Sequence, residues 1–302
     1  MPVKPSPPQK LIVNADDFGL NAENDEAILR LHQRGAISSA TLVVNGANAE
    51  NAARQANISG LPLGLHLNLG EGTPLSGSGP LTDASGQMLG KAGLREALDA
   101  GRIAQEALDD EVIAQLDRFQ TIVGGPPLHL DGHHHCHVAP DVALAVVRCL
   151  PRFLTQPAVR LPLLNAALEK EDALRARYVE EPHTLAFYQR IQCEAKAAAS
   201  LFAQHGFRVP TAFFGISLMG RAMTPEALVA ILDRLPLLEG GVIELMCHPG
   251  LPMPEGDDFT GSPDRRLEFD TLSAVFSTGS GRSAQPISRP DLRLTNFTAL
   301  GL

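Results

Sequence analysis

The sequence HLDGHHHCHVAP, residues 129–140, places four of the protein's ten histidines within five consecutive positions. A short apolar run with a strand pattern, PLHLD, precedes these histidines, and a helical pattern, DVALAVVRCL, follows them. Imidazole is the commonest metal ligand in proteins, and His133 and His137 would share one face if a helical turn began there. A solvated histidine loop is the alternative, but the flanking strand and helix favour a metal or catalytic site.

The composition narrows the class of protein. Of the 302 residues, 44% are hydrophobic and 20% are charged, which is ordinary for a soluble enzyme. A net charge of -9, without basic clusters, argues against nucleic acid as a partner. There is no tryptophan and there are two tyrosines, so a carbohydrate site would depend more on hydrogen bonds than on broad aromatic surfaces. No run approaches the roughly 20 apolar residues that a membrane span needs.

The spacing of the cysteines and the composition of the N-terminus indicate the cellular compartment of the protein. The four cysteines, Cys136, Cys149, Cys193 and Cys247, form no CxxC pair, which indicates free thiols and predicts a cytoplasmic location. Residues 1–9 are proline-rich and lack the apolar core of a secretory signal, so we expect a disordered lead-in there and a single domain over 10–302. A homodimer is the expectation from base rates alone.

Strand and helix patterns alternate along the chain. Strands are predicted at 11–15, 41–44, 62–69, 127–131, 159–162, 211–215, 242–250 and 291–297, and helices at 21–35, 47–56, 94–123, 141–150, 183–206 and 224–235. Repeated βα units with short connections predict a parallel sheet covered by helices. Seven or eight such units favour an α/β fold with a closed or nearly closed barrel over an open sheet.

Polar residues recur where these strands end. The ends of parallel barrel strands converge on one rim, where catalytic residues gather, and this pattern therefore supports the barrel. The residues concerned are Asp16, Asp17, Asn45, His66, Asp131, His133, Arg160 and His248.

Each of these residues also has a structural interpretation. A single aspartate after a strand would be a helix cap, but adjacent carboxylates at Asp16 and Asp17 repel each other unless a cation or a shared proton intervenes. His66 alone between leucines would be a core histidine, yet it shares its strand face with Asn68. His248 before a proline could be a turn residue. Cys136 and Cys247 are more consistent with packing than with ligation.

Five separated motifs resemble the YdjC-like carbohydrate deacetylases, the family of chito-oligosaccharide and hopanoid-associated deacetylases. The order and spacing make the resemblance specific, and it spans roughly residues 10 to 300. The motifs are NADDFGLN (14–21), GLHLNL (64–69), HLDGHHHCH (129–137), VRLP (159–162) and ELMCHPG (244–250). Two positions depart from the family pattern, since Gly132 stands where serine is common and Cys136 where an apolar residue is common.

The resemblance implies a distorted TIM-like barrel, a divalent metal at its rim, and hydrolysis of an N-acetyl group from an amino sugar. By motif, Asp17, His66 and His133 would ligate the metal, Asp16 would be the general base and His248 the general acid. As substrate contacts we expect Arg160, Asn45 and His137, where Arg160 could instead buttress the base and His137 could instead complete the metal shell.

The chemistry agrees with these residue types. A metal polarises an unreactive acetamide and acidifies water, a carboxylate takes the proton of the attacking water, and an imidazole protonates the departing amine. Histidine ligands favour zinc, although the resemblance allows magnesium. An acid role requires the pKa of His248 to be raised, because an unperturbed histidine near roughly 6.5 is mostly neutral at pH 7.

Two other functions stay open at this stage. One is another metal-dependent barrel hydrolase acting on a phosphoester or a cyclic amide, and the other is a non-catalytic carbohydrate- or metal-binding protein. Substrate choice is expected in the loops at 70–90, 163–182 and 251–263, the last of which has the composition of a mobile flap.

Overall fold

The structure is a computed structural model that describes residues 9–77, 79–165, 168, 171–235, 240–252, 262–276, 289 and 291–301. The predicted lead-in therefore lies outside the described residues except for Gln9, which begins the first strand. The predicted flap lies outside them over residues 253–261.

A parallel sheet forms the centre of the fold. Within the described ranges it has seven strands, β1 Gln9–Phe18, β2 Ser39–Leu42, β3 Leu63–Leu67, β4 Leu130–Gly132, β5 Ala212–Phe214, β6 Val242–Cys247 and β7 Leu292–Thr295. The hydrogen-bonded order is β4-β3-β2-β1-β6-β5, and β7 pairs with β1. Every residue of β2, β3 and β6 is buried, as expected for parallel strands that are covered on both faces.

Strand β1 is the central strand of this sheet. Its residues Lys10–Ala15 pair with β6 along one edge. Its other edge is shared, because β7 pairs with Gln9–Ile12 and β2 pairs from Asn14 to Phe18. A residue at the end of β1 is therefore close to strands on both sides.

Helices cover the sheet. The part of the chain that the structure describes holds α1 Ala22–Gln33, α2 Ala49–Ser59, α3 Gly90–Asp99, α4 Gln105–Val123, α5 Pro140–Cys149, α6 Glu171–Arg177, α7 Pro182–Gln204, α8 Pro225–Leu232 and α9 Pro263–Phe276. The Thr224 side chain caps the N-terminus of α8, where it accepts from the Ala227 amide. Helices α6 and α9 were not predicted. None of the described helices is both long and apolar enough to cross a membrane.

The sheet edges at β4 and β5 are linked by a short irregular segment. The predicted strand at 159–162 is wrong, because the VRLP segment makes only isolated bridges, Leu130 to Val159 on one side and Ala158 to Arg208 on the other. A further bridge joins Leu164 to Phe213 of β5. The seven parallel strands thus form the predicted distorted TIM-like barrel, with a seam, residues 157–164, where a regular strand would stand.

Candidate active site

The end of β1 is irregular where the two adjacent aspartates lie. The register with β2 shifts between Ala15 and Phe18, and Asp17 has a φ of 66°. A left-handed backbone is uncommon for a residue other than glycine, and such strain concentrates at functional sites. The shift turns the two neighbouring carboxylates in different directions, so that they have different partners.

The histidine stretch does not form the helical turn that its spacing suggested. His134 and His135 have φ values of 52° and 53°, so the chain kinks within the 3-10 segment His133–Val138. His133 points to Asp17, whereas the Nε2 atom of the fully buried His137 lies 3.0 Å from the Arg160 carbonyl oxygen. The helical turn that would place the two histidines on one face therefore does not form.

The two departures from the family pattern lie against each other. A Cβ atom at Gly132 would come within 2.8 Å of His137 Nδ1 and 3.1 Å of Cys136 Sγ. Contacts that short would force His137 or Cys136 to shift. Glycine at position 132 therefore fits beside these two side chains without displacing them.

Asp17, His66 and His133 form a compact buried cluster. Oδ1 of Asp17 lies 2.9 Å from His133 Nδ1 and 3.3 Å from His66 Nε2, and one ligand atom from each residue fits within 4.8 Å of the others. Asp17 Oδ1 is buried, and the polar groups that face it among the described residues are the ring nitrogens of His133 and His66. A cation between these three atoms would be ligated by one oxygen and two nitrogens, a common donor set for metals in proteins. These residues therefore fit a divalent metal.

His66 is oriented from behind by Asp131. Its Nδ1 lies 2.6 Å from Asp131 Oδ1, which leaves Nε2 directed at Asp17. Burial opposes protonation, but the carboxylates of Asp131, Asp17 and Asp16 together outweigh it and raise the pKa of His66 to about 10. A carboxylate behind a ligating histidine is the usual arrangement around protein metal sites, where it fixes the ring and raises its basicity.

Asp16 is held by Arg160, which is fully buried. The guanidinium donates to both Asp16 oxygens at 2.5 and 2.6 Å, to Glu244 at 2.7 Å, and lies 2.9 Å from an Asp131 oxygen. Burial disfavours the charged form of Asp16, yet Arg160 keeps its pKa well below the usual range. Burial raises the pKa of Glu244 to about 7, even though Arg160 opposes this. Arg160 therefore belongs to a buried network of charges and not to the protein surface.

His248 lies beside Asp16, with Nε2 3.7 Å from Asp16 Oδ2. Burial lowers the pKa of His248 to about 4, and the nearby Asp16 and Asp17 only partly offset it. The requirement for a raised pKa is thus not met, and His248 is neutral at rest near pH 7. Its backbone amide donates to Glu268 of α9, which fixes the start of the turn after β6.

These groups form the floor of a pocket of about 650 Å³. Asp16, Asp17, His66, His133 and His248, which we call the pocket floor, are each at most 7% exposed. Opposite them lies the pocket wall, Tyr178, Phe187, Tyr188 and Met219. The wall holds both tyrosines of the protein, whose rings stack at 5.2 Å.

Three residues predicted to contact substrate do not line this pocket in the described part of the chain: Arg160, Asn45 and His137. Asn45 instead donates to the carbonyl oxygens of Glu71 and Thr73, and so holds the loop after β3. Arg160 and His137 lie behind the floor and bond to it or to each other.

Several site residues were missed by sequence reasoning. Arg265 of α9 donates to Asp17 Oδ2 at 2.6 Å, and Glu71 lies 3.3 Å from His133 Nε2. Neither stands in a recognisable motif. The tyrosines of the wall could have been noticed, because the protein has only two.

The fold and the floor define a parallel α/β barrel protein with a candidate metal centre at its rim. Residues 10–275 match the family model described as YdjC-like protein. A carbohydrate deacetylase of Mus musculus is 36% identical over 284 residues, which cover 89% of each chain. The chain therefore belongs to the YdjC-like family.

Two further comparisons agree with this assignment. A chitooligosaccharide deacetylase of Serratia marcescens is 37% identical over 200 residues, covering 63% of this chain and 78% of that one. A crystal structure of an Enterococcus faecalis protein, to which cleavage of cellobiose phosphate has been ascribed, superposes with a TM-score of 0.72 at 22% identity. It covers 97% of this chain and 99% of its own, which supports the fold alone.

Proposed function

We propose that this protein is a metal-dependent carbohydrate deacetylase that removes the N-acetyl group from an amino sugar or its oligosaccharide. The observation that carries this proposal is the buried Asp17 Oδ1 on the floor of a pocket, which faces one ring nitrogen each of His133 and His66 within the reach of a single ion. Relatives named carbohydrate deacetylase and chitooligosaccharide deacetylase support the substrate class.

Asp17, His66 and His133 would hold one divalent ion. Bound there, the ion would polarise the acetamide carbonyl and acidify a water molecule. Two imidazoles and one carboxylate leave positions open for water and substrate, and they favour zinc or another transition ion over magnesium.

Asp16 and His248 would move the protons. The bond between the amide carbon and nitrogen breaks after water attacks the carbon, so one proton must leave the water and one must reach the amine. In our assignment Asp16 takes the first and His248 gives the second. Because Arg160 lowers the pKa of Asp16 and burial leaves His248 neutral, His248 must gain its proton during the reaction. Its Nε2 lies 3.7 Å from Asp16 Oδ2, so a direct transfer between them requires the two groups to approach to hydrogen-bonding distance.

The predicted substrate contacts take supporting roles in this proposal. Arg160 buttresses Asp16 through two guanidinium nitrogens, which is the second of the two roles expected for it. Asn45 shapes the loop after β3, and His137 ties the turn after β4 to the seam. The stacked tyrosines of the wall offer the apolar surface on which the C–H face of a sugar ring can pack. Homodimerisation and a cytoplasmic location stay predictions from the sequence.

The direct test is acetate release from N-acetylated chito-oligosaccharides by the purified protein. We expect turnover that a chelator abolishes and that added zinc or another divalent ion restores. Hydrolysis of a phosphoester or cyclic amide instead would indicate the alternative hydrolase, and sugar binding without turnover would indicate a binding protein. Either result contradicts the proposal.

The proton-transfer roles are tested separately in Asp16→Asn and His248→Ala. Both variants should keep stoichiometric metal and lose roughly 10² to 10⁴-fold in kcat, the usual effect of removing an acid or base. Loss of metal from either variant would place that residue among the ligands. Wild-type turnover in His248→Ala would assign the acid role to another group.

A further inference from the structure

The two adjacent aspartates each have an arginine of their own, and the two arginines bind differently. Arg160 donates to both oxygens of Asp16. Arg265 donates to Asp17 Oδ2 at 2.6 Å, while Asp17 Oδ1 faces His133 and His66. Arg265 is 1% exposed, so solvent does not weaken this contact.

We infer that Arg265 is a positioning residue that makes Asp17 a one-oxygen metal ligand and weakens the site's grip on the ion. The inference rests on the metal site of the proposed function and goes beyond it by assigning a residue outside every family motif quoted above. With Oδ2 held by the guanidinium, Asp17 can offer only Oδ1, which keeps a coordination position open for water or substrate.

The positive charge of Arg265 also weakens binding of the ion. A buried guanidinium one carboxylate away from a cation repels that cation, and little solvent screens the repulsion. It also withdraws electron density from the ligand oxygen. The bound ion should therefore be held less tightly and act as a stronger Lewis acid than it would beside an unpaired Asp17.

The packing of α9 fixes the position of Arg265 next to Asp17. The Arg265 carbonyl accepts from the Gly250 amide, and the Glu268 carboxylate, one helical turn on, accepts from the amides of His248 and Gly220. A Cβ atom at Gly250 would lie 3.0 Å from the Arg265 Cβ and 2.3 Å from Asn24 Oδ1, so glycine is needed there for α9 to approach. One helix thus fixes both the metal ligand and the turn that carries His248.

Metal binding provides a test that does not depend on turnover. Metal-free wild-type, Arg265→Gln and Arg265→Lys proteins would be titrated with Co²⁺, with affinity measured by chelator competition and coordination by visible absorption. Arg266→Gln is the matched control, because this neighbouring arginine is exposed and pairs with the exposed Asp270.

We expect Arg265→Gln to bind Co²⁺ about tenfold more tightly than wild type, since a repelling charge is removed. Its absorption should be weaker, because a second Asp17 oxygen raises the coordination number, and kcat should fall about tenfold or more with little change in KM. Arg265→Lys keeps the charge and should restore wild-type affinity, and Arg266→Gln should match wild type throughout.

Equal or weaker Co²⁺ binding by Arg265→Gln, with an unchanged spectrum, overturns the inference. If Arg265→Gln does not fold, Arg265→Lys decides. The lysine keeps the positive charge but not the guanidinium that holds Asp17 Oδ2, so the Co²⁺ spectrum must change while the Co²⁺ affinity stays at the wild-type value. Failure of wild type to bind Co²⁺ would instead remove the metal from the proposed function. Binding by wild type with no difference in Arg265→Gln would leave the proposed function intact and sink only this inference.

Discussion

The pocket floor and the pocket wall are built in opposite ways. Floor residues come from the ends of β1, β3, β4 and β6 and contact one another through charged groups or ring nitrogens at 2.9 to 3.7 Å. Wall residues come from the segment between the seam and β5, and from the turn after β5. Tyr178 and Tyr188 belong to a small hydrophobic cluster, Phe187 and Met219 pack against it, and Phe187 also contacts the main core. The floor therefore limits the chemistry, whereas the wall limits the shape of what can bind.

The largest expected effect is loss of the metal from the floor. His66→Ala and His133→Ala should each lose stoichiometric metal, since each removes one of three ligand atoms, and turnover should fall to background. Metal analysis by mass spectrometry measures this directly. His205→Ala, at the exposed end of α7, is the control. Full metal occupancy in both floor variants would contradict the ligand assignment.

A second effect concerns the charges behind the floor. Arg160→Met would leave Asp16, Asp131 and Glu244 without their shared guanidinium, and breaking a buried ion pair in this way costs about 3–5 kcal/mol. Denaturant unfolding should show that loss of stability together with loss of activity. Adding Glu244→Gln should recover part of the stability, because it removes one of the three carboxylates. An Arg160→Met protein as stable as wild type would show that the network contributes nothing to folding.

The pH dependence of metal binding gives a finer test of the same network. Because the carboxylates around His66, Asp131 foremost, together outweigh burial and raise its pKa to about 10, the metal-free protein carries a proton there at pH 7. That interaction stabilises the metal-free fold fully below roughly pH 6.5 and is lost as the pH rises through the folded-state pKa. Metal must displace this proton, so affinity should weaken about tenfold for each pH unit of acidification.

Calorimetry in buffers of different ionisation enthalpy counts the protons that metal binding releases. Asp131→Asn should release fewer protons than wild type at pH 7, because the neutral amide removes the largest of the carboxylate interactions that raise the pKa of His66. An unchanged count would show that Asp131 does not control the protonation of His66.

The smallest expected effect lies on the wall. Tyr188→Leu should raise KM for an N-acetylated oligosaccharide about three- to tenfold, the size of one aromatic packing contact, with metal content unchanged. Steady-state kinetics separate the two parameters. A fall in kcat with constant KM would break the distinction between floor and wall.

The sequence predicted the site residues best where these residues lie at the ends of strands. Asp16 and Asp17 lie at the end of β1, His66 lies near the end of β3, and His133 and His248 directly follow β4 and β6. The convergence of parallel strand ends brings these residues together without knowledge of any loop. Arg265 could not be found in this way, since it is 248 positions from Asp17 and belongs to a helix that was not predicted. Its contact depends on how α9 packs, which no local pattern encodes.

The errors in the histidine stretch and at VRLP have local causes. The i to i+4 spacing of His133 and His137 implies a shared face only in a helix, and two left-handed residues between them remove that geometry. VRLP has the composition of a strand, but its backbone reaches β4 and the Arg208 segment through single bridges, not through a ladder. The sequence therefore located the histidine stretch and VRLP in the barrel, but it did not predict their backbone conformations.

The seam is the part of the barrel that we expect to open most often. The Val159 and Arg160 amides each donate one backbone hydrogen bond, but the seam has no continuous ladder like those of the central strands. Amides near Val159 should therefore exchange with solvent sooner than those of β1 and β6. Each opening would also carry the Arg160 guanidinium away from Asp16, Asp131 and Glu244. On heating, activity should therefore decay before the sheet melts, and the working lifetime of the protein would be set by this one short segment.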